Sequence, residues 1–258
     1  MEKKYLTIKN LTKIYNPDTP DEIVALDDIT FSVSEGEFVT IVGSNAAGKS
    51  TLFGLITGSL LPTAGEVILD NKSICYLPEH KKAKIISCVR QNPDTSIIGS
   101  MTIAENLAMV KLKNKRVSLR KGVKSEWKQV FATMLKPLNL GLEKRLDEKM
   151  NNLSGGQKQT VALLMATLTQ PKLLLLDEHT ASLDPKVSRS MLKITDKIVH
   201  QNKVTTLMIT HNIRHAIEYG SRLILFNHGK IGFEVSGMAK KSLKTHELEA
   251  YFKSAYDV

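Results

Sequence analysis

The run Gly43-Ser44-Asn45-Ala46-Ala47-Gly48-Lys49-Ser50 has the spacing Gly-x-x-x-x-Gly-Lys-Ser, a device for holding phosphate. In such a loop successive backbone N–H groups face the anion, a lysine neutralises the β and γ charges, and a serine hydroxyl ligates Mg2+. Lys49 and Ser50 stand at those last two positions, and Thr51 continues the candidate contact run. A carboxylate pair, Asp177-Glu178, ends an apolar run further along. Asp177 is suited to hold the same Mg2+, directly or through water, and Glu178 to orient or deprotonate an attacking water. His211 ends the run "VTTLMITH" and Gln91 follows "IISCVRQ" in the same way. The first suits a γ-phosphate or the water, the second the metal or the water. Near the start, Tyr15 offers a ring for stacking on a base, or for packing beside Leu11 and Ile14.

One residue in the loop departs from the usual pattern. Comparable loops carry Gly where this chain has Ala46, at a point where the backbone needs a positive φ. A Cβ there costs roughly 1 kcal/mol, which predicts a re-shaped loop or weakened nucleotide binding.

These groups need strands to present them. Phe38 to Val42 and Leu173 to Leu176 are continuous apolar runs that read as buried parallel strands. Carboxylates at the C-terminal end of such a strand share the rim where open α/β sheets bind ligands. A second cradle lies in "NNLSGGQKQTVALL", residues 151–164, where Ser154, Gly155 and Gly156 open a helix. Their amides form an anion site, and the glycines admit close approach of another backbone. Between Gln91 and this cradle, "MTIAENLAMV" begins with a capping box, Thr102 with Glu105, and shows an apolar face at Ile103, Leu107 and Val110. Trp127 is expected in the core of that lobe, and the last twenty residues suggest an amphipathic helix.

At 258 residues, 42% hydrophobic and 24% charged, the chain can bury a sizeable core. No apolar stretch is long enough to span a bilayer, so any passage through a membrane would need other subunits. Cys75 and Cys88 fit neither a disulfide framework nor a metal cluster, which predicts reduced core thiols in a cytosolic setting. The net charge of +10 suits nucleic acid, an anionic surface or plain solubility, and does not choose among them. Its densest stretch, 111–128, reads as a solvated helical face, with contact to lipid head groups or RNA phosphates as the alternative.

The P-loop, the Gln after a strand, Leu153-Ser154-Gly155-Gly156-Gln157, Asp177-Glu178, the Ser182-Leu183-Asp184 turn and His211 occur in that order. This resembles the ATP-binding subunit of ABC transporters over nearly the whole chain. The resemblance implies an α/β P-loop NTPase of ABC type: a mixed RecA-like sheet, an N-terminal antiparallel β subdomain and an inserted helical subdomain. As one cassette, 1–91 and 158–235 would form the core and β subdomain, 92–157 the helical subdomain and 236–258 a C-terminal tail helix. It further implies ATP and Mg2+ as ligands, with Glu178, His211 and Gln91 catalytic and Ser50, Gln91 and Asp177 on the metal. Tyr15, the P-loop residues, Asp184 and, from a second copy, Ser154, Gly155, Gly156 and Gln157 would contact nucleotide. The second cradle then serves a homodimer partner's ATP, and the helical lobe receives a separate membrane permease. No nucleic-acid partner is expected, and the place implied is the cytoplasmic face of the membrane. The alternative within the family is a non-transport ATPase working on ribosomes, nucleic acid or protein assembly.

Most members have Pro after the catalytic Glu, whereas this chain has His179 in "DEHTASLDP". With "MTIAENLAM" and "LMITHNIRHAIEYGSRLI", this is similar to the ATPases of bacterial importers assigned to tryptophan or aromatic amino-acid uptake with a substrate-binding lipoprotein. His179 itself reads as a turn cap or a pH sensor.

Overall fold

Alternating apolar residues start the chain as a long hairpin, β1 (Lys4–Tyr15) and β2 (Ile23–Ser34), and a fully buried run follows as β3 (Phe38–Gly43). The computed structural model describes residues 4–112 and 123–254. After β3 come α1 (Lys49–Thr57), β4 (Ala64–Leu69), β5 (Lys72–Ser73), the single turn α2 (Glu79–Lys82) and β6 (Ile86–Val89). Helices α3 (Ile103–Leu112), α4 (Ser125–Leu135) and α5 (Gly155–Leu168) precede β7 (Leu173–Asp177) and α6 (Pro185–Asn202). Then come β8 (Thr206–Ile209), α7 (Ile213–Glu218), β9 (Arg222–Asn227), β10 (Lys230–Ser236), α8 (Gly237–Ser242) and α9 (Thr245–Ser254).

The chain divides into two compact units: one from Met1–Cys88, Lys172–Glu178 and Val199–Val258, the other from Val89–Pro171 and His179–Ile198. The first holds an antiparallel sheet in the order β2-β1-β4-β5, and the strands of a mixed sheet ordered β10-β9-β3-β8-β7-β6. In the mixed sheet β3 runs parallel to β8 and β9, β7 runs parallel to β8, and β10 returns antiparallel to β9. One face of β3 joins a core with Leu6, Leu52, Leu175 and Ile224, and its Val42 joins a second cluster with Ala216, Leu223 and Leu248. Side chains of this size contribute about 1.5–3 kcal/mol each when fully buried, and every residue of β3 is buried. The expected α/β architecture is present.

Two buried lysines reinforce the first unit. Lys82, fully buried, donates to the carbonyl of Leu55 at 3.2 Å and so places a cation at the C-terminal end of α1. Burial lowers its pKa, and the nearby Cys75 acts in the opposite sense. Lys240 on α8 donates to the carbonyls of Tyr219 and Gly220, just past the end of α7. The tail is two helices where the sequence suggested one. Leu243 is extended between them (φ −64°, ψ 127°). That break lets Lys240 reach α7 while Leu248, with no exposed surface, packs with Val42 and Ala216. Cys75 is buried and accepts the Val67 N–H at 3.0 Å, and Cys88 is half-buried; neither forms a disulfide.

In the second unit Thr102 and Glu105 form the expected reciprocal cap, at 2.7 and 3.1 Å, and Ile103 and Leu107 are buried beneath it. Trp127 is not core. Phe131 and Leu135 are the buried residues of α4, while the Trp127 ring lies half-exposed under the ammonium groups of Lys111 at 5.1 Å and Lys124 at 5.8 Å. A large ring with a polar edge fits a rim where two cations can cover its faces. Most of the basic stretch 111–128 lies outside the described residues, as do positions 255–258 of the tail.

Candidate functional site

The parallel register brings the reactive groups of the first unit to one rim. Ile41 is level with Ile209, and Ile209 is level with Asp177, so the turns leaving β3, β7 and β8 emerge side by side. The loop Ser44 to Gly48 leaves β3 and enters α1 with Gly48 as N-cap in the left-handed conformation (φ 94°). A Cβ on Gly48 would come within 2.4 Å of the Ala25 carbonyl, so that corner admits glycine alone. Ala46 takes φ 63°, so the left-handed turn forms with a methyl group present. Ala47 and Gly48 are buried, Ser44 and Thr51 half-buried, and Asn45, Ala46 and Ser50 exposed.

Lys49 is 4% exposed, and its ammonium donates to the carbonyls of Gly43 (2.9 Å) and Ser44 (2.6 Å). Burial lowers its pKa, and the carboxylates of Glu178 and Asp177 act in the opposite sense. The ammonium therefore sits in the loop's concavity with two anions near enough to be felt. Glu178 leaves β7 with φ 48°, a conformation rare for a residue with a side chain. Its N–H donates to Ile209 O at 3.1 Å, and its Oε1 lies 2.5 Å from His211 Nε2. The sequence named both residues; their direct pairing and the strained backbone of Glu178 were not visible in it. Tyr15 is half-buried, with its hydroxyl 3.5 Å from Thr51 Oγ1 and Lys13 Nζ 5.2 Å from its ring centroid.

The second unit carries the other named residues. Ser154 caps α5: its Oγ accepts the Gln157 N–H at 3.4 Å, and its own N–H donates to Gln157 Oε1 at 3.1 Å. Ser154 and Gly155 are exposed, and the cap takes up the Gln157 N–H rather than those of Gly155 and Gly156. Asp184 caps α6 through the N–H groups of Lys186 and Val187, both at 3.1 Å. Gln91 is exposed, and its carbonyl accepts the Ser182 hydroxyl at 3.2 Å. The backbone before it is fixed by Gln159, a residue the sequence reading passed over, which is fully buried and donates to Arg90 O at 2.9 Å. The available signal was the second glutamine of "GGQKQT", one turn inside the helix that Ser154 opens. His179 is 1% exposed, with Nε2 3.0 Å from Thr195 Oγ1 on α6.

The donor set suits the expected ligands. A left-handed turn with successive amides at a helix N-terminus is an anion nest, and a serine hydroxyl with a carboxylate offers the hard oxygens that Mg2+ prefers.

Comparison with known proteins agrees with this geometry. A family model described as "ABC transporter" matches residues 26–181. The tyrosine transport ATP-binding protein of Clostridioides difficile strain R20291 is 40% identical over 250 residues, covering 97% of this chain and 99% of that protein. Among solved structures, cbiO1 from Clostridium perfringens, part of the ABC transporter complex cbiONQ, superimposes with a TM-score of 0.78 at 28% identity, over 96% of this chain and 92% of that one. The ATP-binding cassette MJ0796, in a dimeric post-hydrolysis state bound to ADP and Pi, gives 0.73 at 29% identity, over 90% and 98%. The chain belongs to the ABC transporter family, as one of its ATP-hydrolysing cassettes.

Proposed function

We propose that two copies of this chain close head to tail around two ATP molecules and drive a separate membrane permease, importing a small solute of the aromatic amino-acid kind. The observation that carries the hydrolytic part is the Glu178–His211 pair, 2.5 Å apart, on the rim that also presents Lys49. In this reading Glu178 takes a proton from the attacking water, and His211 orients that carboxylate and the γ-phosphate. Lys49 and the amides of Gly43 to Thr51 hold the phosphates, while Tyr15 supports the base. Ser50 and Asp177, with Gln91, would hold Mg2+, which would supply charge neutralisation to the bound phosphates. Ser154, Gly155, Gly156 and Gln157 of one copy complete the partner's nucleotide site, and Asp184 is a further nucleotide contact.

The transport part rests on family membership and on relatives of this size that work in transport systems, one of them for tyrosine. A cassette does not touch the cargo, so an aromatic solute follows from analogy with that relative and with the Asp-Glu-His-Thr sequence. The permease, a substrate-binding lipoprotein and a place on the cytoplasmic membrane face complete the proposal.

Phosphate release by purified protein tests the chemistry. Glu178→Gln should lower kcat on the order of 100-fold or more while ATP still binds, and chelating divalent cations should stop wild-type turnover. Wild-type turnover by Glu178→Gln would exclude the general-base role. For the cargo, tagged protein drawn from gently solubilised membranes should bring a polytopic protein and a lipoprotein that binds tyrosine or tryptophan. Ribosomal partners without a membrane protein would overturn the transport reading.

A further inference from the structure

We infer that Gln159 is a positioning residue for Gln91: from inside α5 it latches the backbone that carries the Gln91 side chain, and it does so at a cost in stability. Gln159 has no exposed surface, and its Nε2 donates to Arg90 O at 2.9 Å. A carbonyl can only accept, so the amide is turned with its nitrogen towards Arg90 and its oxygen away. That oxygen is buried and has no hydrogen-bond partner among the described residues. A side chain present for packing alone has no use for this arrangement. Burying an unpaired carbonyl oxygen is unfavourable, whereas methionine, of nearly the same length, fills the volume with no amide to satisfy. The far end of the bond does not need the amide either, since Arg90 is exposed and its carbonyl can turn to water once released.

What the bond supplies is position. Strand β6 ends at Val89, and Gln91 is exposed, so its side chain is aimed by whatever holds the peptides on either side of it. Within the second unit, Gln159 holds Arg90 O, the Ser182 hydroxyl donates to Gln91 O at 3.2 Å, and Lys158 Nζ lies 3.0 Å from Asp94 Oδ1. Ser182 is exposed and the Asp94 side chain is 58% exposed, so water competes for both of those bonds. The Gln159 donor is shielded from water and sits on a helix, which makes it the firm point of the three. Lys158 and Gln159 are neighbours on the first turns of α5, so the helix that Ser154 opens also grips residues 90–94. Gln91 on a released backbone still reaches its ligand, but in fewer productive placements, which slows chemistry more than it weakens nucleotide binding.

This inference rests on the reading of Gln91 as a ligand to Mg2+, and the experiment separates the two. The variants are Gln159→Met, Gln159→Leu, Gln91→Ala and the double variant Gln91→Ala with Gln159→Met. Thermal melting and amide hydrogen exchange of the nucleotide-free protein read the latch without turnover. Steady-state hydrolysis at varied Mg2+, and ATP titration without divalent cation, read its use. Gln159→Met and Gln159→Leu should melt at or above the wild-type temperature, while amides in 90–96 exchange faster by on the order of tenfold. Their kcat should fall on the order of tenfold and the Mg2+ needed for half-maximal rate should rise, with the ATP Kd within about twofold of wild type. In the Gln91→Ala background Gln159→Met should cost nothing more, because both changes remove one contribution. Wild-type kcat and Mg2+ dependence in Gln159→Met, unchanged exchange at 90–96, losses that multiply in the double variant, or melting temperatures that fall with the rate in both Gln159 variants would each overturn the inference. Wild-type turnover and Mg2+ dependence in Gln91→Ala would instead remove the reading of Gln91 itself.

Discussion

At Ala46 the backbone takes φ 63° with a methyl group on Cα, a conformation that costs an L-residue roughly 1–2 kcal/mol relative to glycine. Ala46→Gly should release part of that strain. It should appear as a higher melting temperature, as tighter ATP binding by up to about fivefold, or as both, measured by thermal unfolding and by titration. No gain in either would mean that the loop tolerates alanine without strain. The need for a positive φ here was legible in the sequence, because the phosphate nest is built from consecutive residues whose conformations are fixed by the ligand's shape. Glu178 was legible as chemistry and not as geometry. Its left-handed backbone depends on Ile209 and His211, and its neighbour His179 on Thr195, and none of these partners is near in sequence.

The start of α5 shows how one element serves two purposes with adjacent glycines. A Cβ placed on Gly156 would lie 2.4 Å from Val187 Cγ1 of α6, whereas one on Gly155 would have Leu183 Cδ2 as its nearest neighbour at 3.7 Å. Gly156→Ala should therefore destabilise the chain by about 1–3 kcal/mol through overpacking. Gly155→Ala should leave stability near wild type, since a methyl group at the first helical position meets only ordinary contact. If the exposed face of Gly155 lies against a partner's ATP, the same variant should lose hydrolysis; denaturant unfolding set beside phosphate release would separate the two effects. A Gly155→Ala protein with full activity would argue that nothing approaches that surface closely. From sequence the two glycines were equivalent, because what distinguishes them is a helix some thirty residues later.

The tail makes a similar point about charge. Lys240 stands beside Lys241 in a basic stretch of the sequence, yet it is 2% exposed, and burial pushes its pKa from the ordinary 10.5 down to about 8. Between those two values the unfolded chain holds the proton and the folded chain does not, so this group's contribution to stability rises with pH across that window. Urea midpoints at about pH 7.5 and about pH 9.5 should show wild type gaining on Lys240→Met as the pH rises. Parallel curves for the two proteins would show that the ammonium keeps its proton in place, held by the carbonyls of Tyr219 and Gly220. The strands and their reactive ends were legible because buried parallel strands announce themselves as apolar runs. The break at Leu243 was not, because it is imposed by where Lys240 and Leu248 have to land.

For the whole molecule, the question is whether one chain supplies a complete site. Lys49 belongs to the first unit, and Ser154 stands exposed at the opening of α5 in the second. In the proposed head-to-tail pair each nucleotide meets the P-loop of one copy and the Ser154 turn of the other. Lys49→Ala removes the phosphate cation, and Ser154→Arg blocks the opening of α5, so each protein alone should be inactive. A mixed dimer then contains one site with both defects and one site with neither. With free exchange and equal amounts, half the dimers are mixed and half their sites are intact, so about a quarter of the wild-type activity should return. If each chain instead closed its own site, every site would carry one defect at any mixing ratio, and no activity would return. Crosslinking or differential tagging must show that mixed dimers form. With that shown, recovery of activity assigns the second cradle to the partner copy, and continued inactivity assigns it to the chain that carries it.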